Sequence, residues 1–503
     1  LSVDNKADKD YNRRLFFTLW KVRYFIMTDL FLHCPLCGEK INPVGSFIST
    51  CPVAARGESH VPEFVTPMCP VSSEALKEPG ANPYLLFGES MFFQKLAEKF
   101  NLDYAEVVNF IGHNLVKNCH QPDFHITPLT AVSLFSDRSE VYVKNETGNV
   151  SGSHKARHLM GTMLYLEILR LAGVLAERVP LAVYSCGNAG FAASVLAKAG
   201  GDYPLQAFVP DDVHENIAKG LLGNGADVCK MSRQPGETGD PCYKAFCSAL
   251  EAGALAFSCS GPDNWSNIEG GKTIGFELFS QMSDLEQELD VLFVQTGGGA
   301  LGSSVQAASR ASFQAGLIKK EPAIACVQTE SAYPLVRAWL LMLKELCSRL
   351  LMPCPFSTTE LSSPEKINLI YSSEREFLKE ATQKIKQNFT GETVQSTLTQ
   401  AGKNMSGFMW EWESAPKSIA HGILDDITYD WLSLLSGHFR SGGIPVVVSE
   451  MDLRQANELA VSKTNIPVDH TGTAGLAGLL AAKRYGIITG SDRVGLLFTG
   501  RKR

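Results

Sequence analysis

From Val141 onward the chain alternates short apolar runs with longer stretches of helical periodicity. The apolar runs are Val141 to Val143, Leu181 to Tyr184, Leu205 to Val209, Val291 to Val294, Ile324 to Val327, Ile444 to Val448 and Val494 to Phe498. A run that is apolar at every position suits a strand covered on both faces, and the intervening helices supply the crossovers that parallel neighbours need. The expected class is α/β, with mostly parallel twisted sheets. In such sheets, ligands bind where loops leave the carboxyl ends of the strands.

Composition narrows the partners. The chain has 503 residues, 45% hydrophobic and 20% charged, enough for two or three domains with substantial cores. A net charge of -7, from 46 basic and 53 acidic residues, argues against nucleic acid or an anionic membrane as the main partner and favours a small molecule. Thirteen cysteines are an odd number spread over a large chain, so reduced thiols and a cytoplasmic setting are expected. The apolar stretch Leu15 to Leu32 is interrupted by Lys21, Arg23 and Asp29, which suits neither a membrane span nor a signal peptide. Asp4, Asp8 and Asp10 count against a transit peptide. Residues 1 to 26, ahead of Met27, are read as a disordered extension without catalytic importance.

Cys34-Pro-Leu-Cys37-Gly38 has the form of half a zinc knuckle, with Cys51, His60 and Cys69 as candidate completing ligands. A second Cys-x-x-Cys is missing, so a decayed ribbon or a simple turn is the competing reading. Asn82 to Lys117 has helical periodicity, and Thr127 to Thr130 marks a turn into strands. Between Leu351 and Lys417 the pattern weakens into polar residues punctuated by Pro353, Pro355 and Pro364, which reads as an insertion without chemistry of its own.

Chemistry is suggested at three loops. Gly297-Gly298-Gly299-Ala300-Leu301-Gly302 follows an apolar strand and opens a helical pattern, so backbone N–H groups and a helix N-terminus converge on a phosphate-sized anion site. Gly297, Gly299 and Gly302 also satisfy the dinucleotide fingerprint, with Glu330 as a ribose-binding acid; a third reading is a glycine turn for tight strand-helix packing. Gly271-Lys272-Thr273 resembles the end of a P-loop, but Ser266 stands where the first glycine belongs, which disfavours an NTPase. Ser151-Gly152-Ser153-His154-Lys155-Ala156-Arg157 places a lysine at a helix entrance suited to imine formation and proton transfer. Ser185-Cys186-Gly187-Asn188-Ala189-Gly190 is another strand-to-helix loop, with small residues and one amide side chain.

In this order and approximate spacing, the lysine segment, the Ser-x-Gly-Asn loop and the glycine cup resemble the tryptophan-synthase-β-like superfamily, the fold-type II pyridoxal phosphate enzymes. The resemblance spans roughly Asn82 to Arg503. It is strongest to the threonine synthase and serine/threonine dehydratase branch. Asn267 to Gly275 is similar to threonine synthases, Ser418 to Ile423 to threonine dehydratases, and Thr471 to Gly475 to both. The start at Cys34 to Gly38 resembles ribbon-like starts of some threonine synthase relatives.

The resemblance implies two domains with the cofactor in the cleft between them. Residues 27–70 would form a degenerate zinc-ribbon-like segment. Residues 71–177 and 266–503 would form the large domain, with 351–417 inserted, and 178–265 the small domain with the asparagine loop. Lys155 would carry pyridoxal 5'-phosphate as an imine and move the Cα proton. Asn188 would bond the cofactor's phenolic oxygen, and Ser185, Cys186, Gly187 and Asn188 would hold the substrate carboxylate. Gly297, Gly298, Gly299, Ala300 and Leu301 would bind the phosphate, and Thr499 would face the pyridine nitrogen. A hydroxyl there leaves the cofactor a weaker electron sink than a carboxylate would, which favours β-elimination. Cys34 and Cys37 would be the metal ligands if zinc is bound.

Two residues depart from the branch or stand apart from its chemistry. His154 replaces the usual aromatic and is read as a stacking residue ahead of an acid/base group, and Cys186 as a space-filler. The activity implied is elimination from a hydroxy or phospho L-amino acid, as in threonine/serine ammonia-lyases, by a homodimer. Threonine synthesis from O-phosphohomoserine, β-replacement, an NAD-dependent oxidoreductase and a noncatalytic amino-acid sensor are the alternatives.

Overall fold

The computed structural model describes residues 30–135, 140–175, 178–185, 187–211, 213–234 and 239–502; the 1–26 extension and Cys186 lie outside the described residues. Two parallel sheets dominate. Strands β3 (Leu129–Val132), β4 (Val141–Asn145), β9 (Val291–Gln295), β10 (Ala323–Thr329), β11 (Val446–Val448) and β12 (Val494–Phe498) form a six-stranded sheet in the order β11-β10-β9-β12-β4-β3. Every pairing in it is parallel except β3 with β4. Strands β5 (Leu181–Tyr184), β6 (Leu205–Pro210), β7 (Asp227–Met231) and β8 (Leu255–Ala256) form a parallel four-stranded sheet in the order β7-β6-β5-β8. A short antiparallel hairpin, β1 (Leu32–His33) with β2 (Lys40–Ile41), precedes both.

Each of the apolar runs read from the sequence holds a strand. β9 and β12 are buried at every position, because helices cover both faces of the sheet. β7 escaped the pattern because it lies at a sheet edge, where Asp227 and Lys230 are exposed. The helical stretch around 82–117 is broken into Pro83–Leu86, Phe92–Lys99 and Tyr104–Cys119, with Asp103 capping the last through the N–H groups of Ala105 and Glu106.

The polar stretch 351–417 contains three helices, Pro364–Ser373, Arg375–Gln387 and Glu392–Lys403. Their buried residues, among them Ile367, Ile370, Tyr371, Leu378, Ile385, Val394 and Leu398, recur at helical spacing, but the exposed polar faces dilute the signal in sequence. Tyr371 donates to the Pro445 carbonyl ahead of β11, and Lys386 Nζ donates to the Ser441 carbonyl at 2.8 Å, so the segment is tied to the main sheet. No helix among the described residues is long and apolar enough to cross a membrane.

The helices Lys155–Leu171 and Ser266–Asp284 are buried along most of their length and pack against each other. A Cβ at Gly161 would lie 2.6 Å from Gly270 Cα, so this contact requires glycine. The Gly271-Lys272-Thr273 triplet lies inside the second helix, where Lys272 pairs with Glu269 at 2.5 Å and donates to the Phe64 carbonyl at 2.9 Å. It has no phosphate-loop geometry.

Candidate active site

Three adjacent parallel strands, β9, β12 and β4, send their carboxyl-terminal loops to one edge of the six-stranded sheet. The loop after β9 is Thr296 to Gly299, the residue after β12 is Thr499, and the loop after β4 runs through Glu146 to His154 into the helix that Lys155 opens. That lead-in is shaped by its backbone. Ser151 and Gly152 are left-handed at φ 57° and 66°, and Ser153 bridges to Gly500. The His154 N–H donates to the Thr499 carbonyl at 3.2 Å, so Lys155 and Thr499 are held on neighbouring loops.

Gln295, the last residue of β9, was missed in the sequence because a lone glutamine at a strand end carries no pattern. Its Nε2 donates to the Thr499 hydroxyl oxygen and to the Leu497 carbonyl at 2.9 Å. With its oxygen accepting from Gln295, the buried Thr499 hydroxyl can direct its own proton to another acceptor.

Gly299 caps the helix Ala300–Gln314 at φ 108°. The N–H groups of the first helical turn have no intrahelical acceptor and, with the dipole, form an anion site. The stretch 423–434 lies close against this loop. A Cβ at Gly298 would lie 2.9 Å from Tyr429, and one at Gly299 the same distance from Asp430 Cβ. The Asp425 carboxylate lies against this loop, where a Cβ at Gly297 would overlap its Oδ2. Glu330, the candidate ribose acid, accepts instead from the Glu450 N–H at 3.0 Å.

The asparagine loop leaves β5 of the smaller sheet. Ser185 N–H donates to the Phe208 carbonyl, Gly187 N–H donates to Ser185 Oγ at 3.2 Å, and Asn188 opens the helix Asn188–Ala199. That helix packs against the Val150–Gly152 turn, which brings it alongside the approach to Lys155.

Sequence reasoning also missed an acidic and aromatic wall assembled from distant segments. Tyr184, Ser258 and Tyr243 hydroxyls point at Asp263, at 3.2, 3.3 and 3.4 Å, and the Tyr184 ring lies 6.0 Å from Tyr429. Burial raises three carboxyls here. Asp263 is pushed up to about 6, Asp425 to about 6 despite the charge of Lys155, and Asp430 to about 7, where the Gly261 N–H and the Lys155 charge oppose the rise. Burial, and then the Lys155 charge, hold His154 well below the usual imidazole range, so it is neutral at pH 7. Its ring meets His158 edge-on at 5.6 Å.

Asp430 gives a sign that can be measured. Its folded-state value lies above the ordinary 3.8, so the folded chain holds this proton more tightly. The stability it contributes is full below about 3.8 and is lost as pH rises to about 7. Asp430→Asn keeps an acceptor for Gly261 and removes the ionisation. Melting curves should show the variant matching the parent near pH 4 and exceeding it near pH 7.5; an unchanged difference across that range would contradict the assignment.

Residues 121–349 match the family model described as pyridoxal-phosphate dependent enzyme. This segment, residues 121–349, is a pyridoxal-phosphate-dependent enzyme segment of the fold-type II class. Solved structures share this fold. A threonine deaminase from T.th. aligns at 19% identity and TM-score 0.51, over 75% of this chain and 93% of that one. Threonine deaminase isoform 2 from Solanum lycopersicum aligns at 14% and 0.50, over 92% and 93%. Serine racemase from Dictyostelium discoideum aligns at 17% and 0.50, over 79% and 98%. No curated protein matches the chain by sequence.

The residues present fit the family's cofactor. A lysine, a glycine cup with no room for a Cβ at Gly297, Gly298 or Gly299, and a threonine hydroxyl with a directed proton stand on three neighbouring loops of one sheet edge. Cys34 and Cys37, the other site residues read from the sequence, lie apart in the β1–β2 hairpin, grouped with Cys51 and His60 but not with Cys69.

Proposed function

We propose that the protein is a pyridoxal-phosphate-dependent lyase that eliminates a β-hydroxyl from an L-amino acid, of the threonine/serine ammonia-lyase type. The observation that carries this reading is the convergence of Lys155, Thr499 and the glycine loop on the ends of β4, β12 and β9. In this reading Gly297 to Leu301 would hold the phosphate, beside the Asp425 carboxylate that lies against Gly297. Thr499, oriented by Gln295, would hold the ring nitrogen without enforcing its protonation. Bound at this site, the cofactor stabilises negative charge at Cα. The Lys155 amine would take the Cα proton and return it to the β-hydroxyl, which would leave with the bonding pair as water, and the product would hydrolyse to a 2-oxo acid and ammonia. Asn188 would hold the cofactor's phenolic edge, and the loop from Ser185 to Asn188 would bind the substrate carboxylate. His154, neutral at pH 7, would stack on the cofactor ring rather than donate a proton.

The acidic wall favours a hydroxyl over a phosphoester substrate. Asp425 lies against Gly297 and Asp430 against Gly299, and the ionised fraction of two carboxyls raised to about 6 and about 7 disfavours a second phosphate there.

The test is the visible spectrum of the purified holoenzyme during separate additions of L-threonine, L-serine and O-phosphohomoserine, with 2-oxo acid, threonine and D-amino acid assayed together. A spectral shift with a hydroxy amino acid and 2-oxo acid formation is the expected result. Threonine from O-phosphohomoserine would establish the synthase, and D-amino acid without 2-oxo acid a racemase. No cofactor band after added pyridoxal phosphate would remove the assignment.

A further inference from the structure

We propose that Cys34, Cys37, Cys51 and His60 form a four-ligand zinc site that locks the N-terminal segment onto the back of the active-site wall. Their ligand atoms all lie within 4.8 Å of one another. Cys34 Sγ is 3.4 Å from His60 Nδ1, and Cys37 Sγ is 3.7 Å from Cys51 Sγ. A tetrahedral ion with Zn–S bonds of about 2.3 Å sets ligands about 3.6 to 3.8 Å apart along each edge. The four atoms are therefore close to that arrangement before any ion is added.

Local structure supports the same assignment. Cys34 and Cys37 sit on the turn between β1 and β2, where the Gly38 N–H donates to the Cys34 carbonyl at 2.8 Å and Gly38 adopts φ 77°. This turn aims both sulfurs to one side. Cys34, Cys51 and His60 are buried. The other imidazole nitrogen of His60, Nε2, is 2.7 Å from the Glu58 carboxylate. A proton held at Nε2 by that carboxylate leaves the Nδ1 lone pair facing the three sulfurs, the usual outer support of a metal-bound histidine. Three thiolates, one neutral imidazole and no open position suit a structural ion and not a catalytic one.

The residues around the cluster give the ion something to hold. Ser59, next to His60, donates its N–H to the Gly402 carbonyl at 2.9 Å and accepts from Trp431 Nε1 at 2.7 Å. Trp431 directly follows Asp430 of the acidic wall. Glu63 bridges to His33 and pairs with Arg310 at 2.6 Å, joining the hairpin to the helix that begins at the glycine cup. The site thus anchors the segment behind both Asp430 and the phosphate-binding helix, and it does not depend on which amino acid the enzyme takes.

Metal analysis of the full-length protein, purified without chelator or affinity metal, tests this. About one zinc ion per chain is expected, with three sulfur and one nitrogen neighbours by X-ray absorption. Cys37→Ser, at the exposed ligand, should lower the zinc content at least about tenfold, whereas His60→Cys should retain it as a four-sulfur site. Wild-type protein with no zinc and freely titrating thiols, with a different metal, or with a Cys37–Cys51 disulfide would overturn the proposal. If Cys37→Ser does not fold, the wild-type stoichiometry and sulfur shell decide alone.

Discussion

Lys155→Ala should lose the visible absorbance of lysine-bound cofactor and reduce turnover by at least about 10³-fold, because under the proposed function one substitution removes both the covalent anchor and the proton-transferring base. The fold should survive. Lys155 is the first residue of its helix, and alanine is the most favourable helix residue, so thermal unfolding of the apoprotein should hardly change. The glycine cup is untouched, so cofactor should still bind without a covalent link, and equilibrium dialysis will show it. An alanine variant with full activity would refute the site. A variant that neither folds nor binds cofactor would mean that the lysine is structural.

The second large effect concerns stability. Two residues beyond Lys155, Arg157 enters a fully buried four-charge network. Its Nε lies 2.7 Å from Glu146 and its Nη1 2.5 Å from Glu277, while Lys144 Nζ lies 2.6 Å from the other Glu277 oxygen. Burial would raise Glu146, but the Arg157 charge and hydrogen bonds prevail and bring it to about 2. Burial lowers Lys144, with the Glu277 charge opposing it. Two cations face two anions, so the network is neutral and survives without water. Glu277→Leu leaves two buried cations sharing one carboxylate and should cost about 3–5 kcal/mol, read as a lower urea midpoint. Adding Lys144→Met should recover part of that loss, because it removes one uncompensated cation. Independent, additive losses would show that the pair does not interact as the geometry indicates.

This network also shows where sequence reading stops. Glu146, Arg157 and Glu277 lie on a loop and two helices and look like ordinary surface charges until the fold buries them. The acidic wall is similar: Asp263, Asp425 and Asp430 follow no spacing rule, and their raised values come from burial. The polar stretch 351–417 hid three helices because each buries only a narrow stripe.

What could be read before folding was local and covalent. Apolar runs between helical patterns marked the strands because strands buried on both faces must be apolar throughout, and Lys155, Asn188 and the Gly297 cup stood out because strand-to-helix loops have a backbone chemistry visible in a few consecutive residues. Convergence could not be read this way. Neighbouring strands in the sheet come from opposite ends of the chain, as β4 and β12 do, so the meeting of Thr499 with Lys155, of Gln295 with Thr499, and of Cys51 and His60 with the Cys34 turn depends on strand order and packing. Those contacts join residues far apart along the chain, and only the folded core brings them within bonding distance.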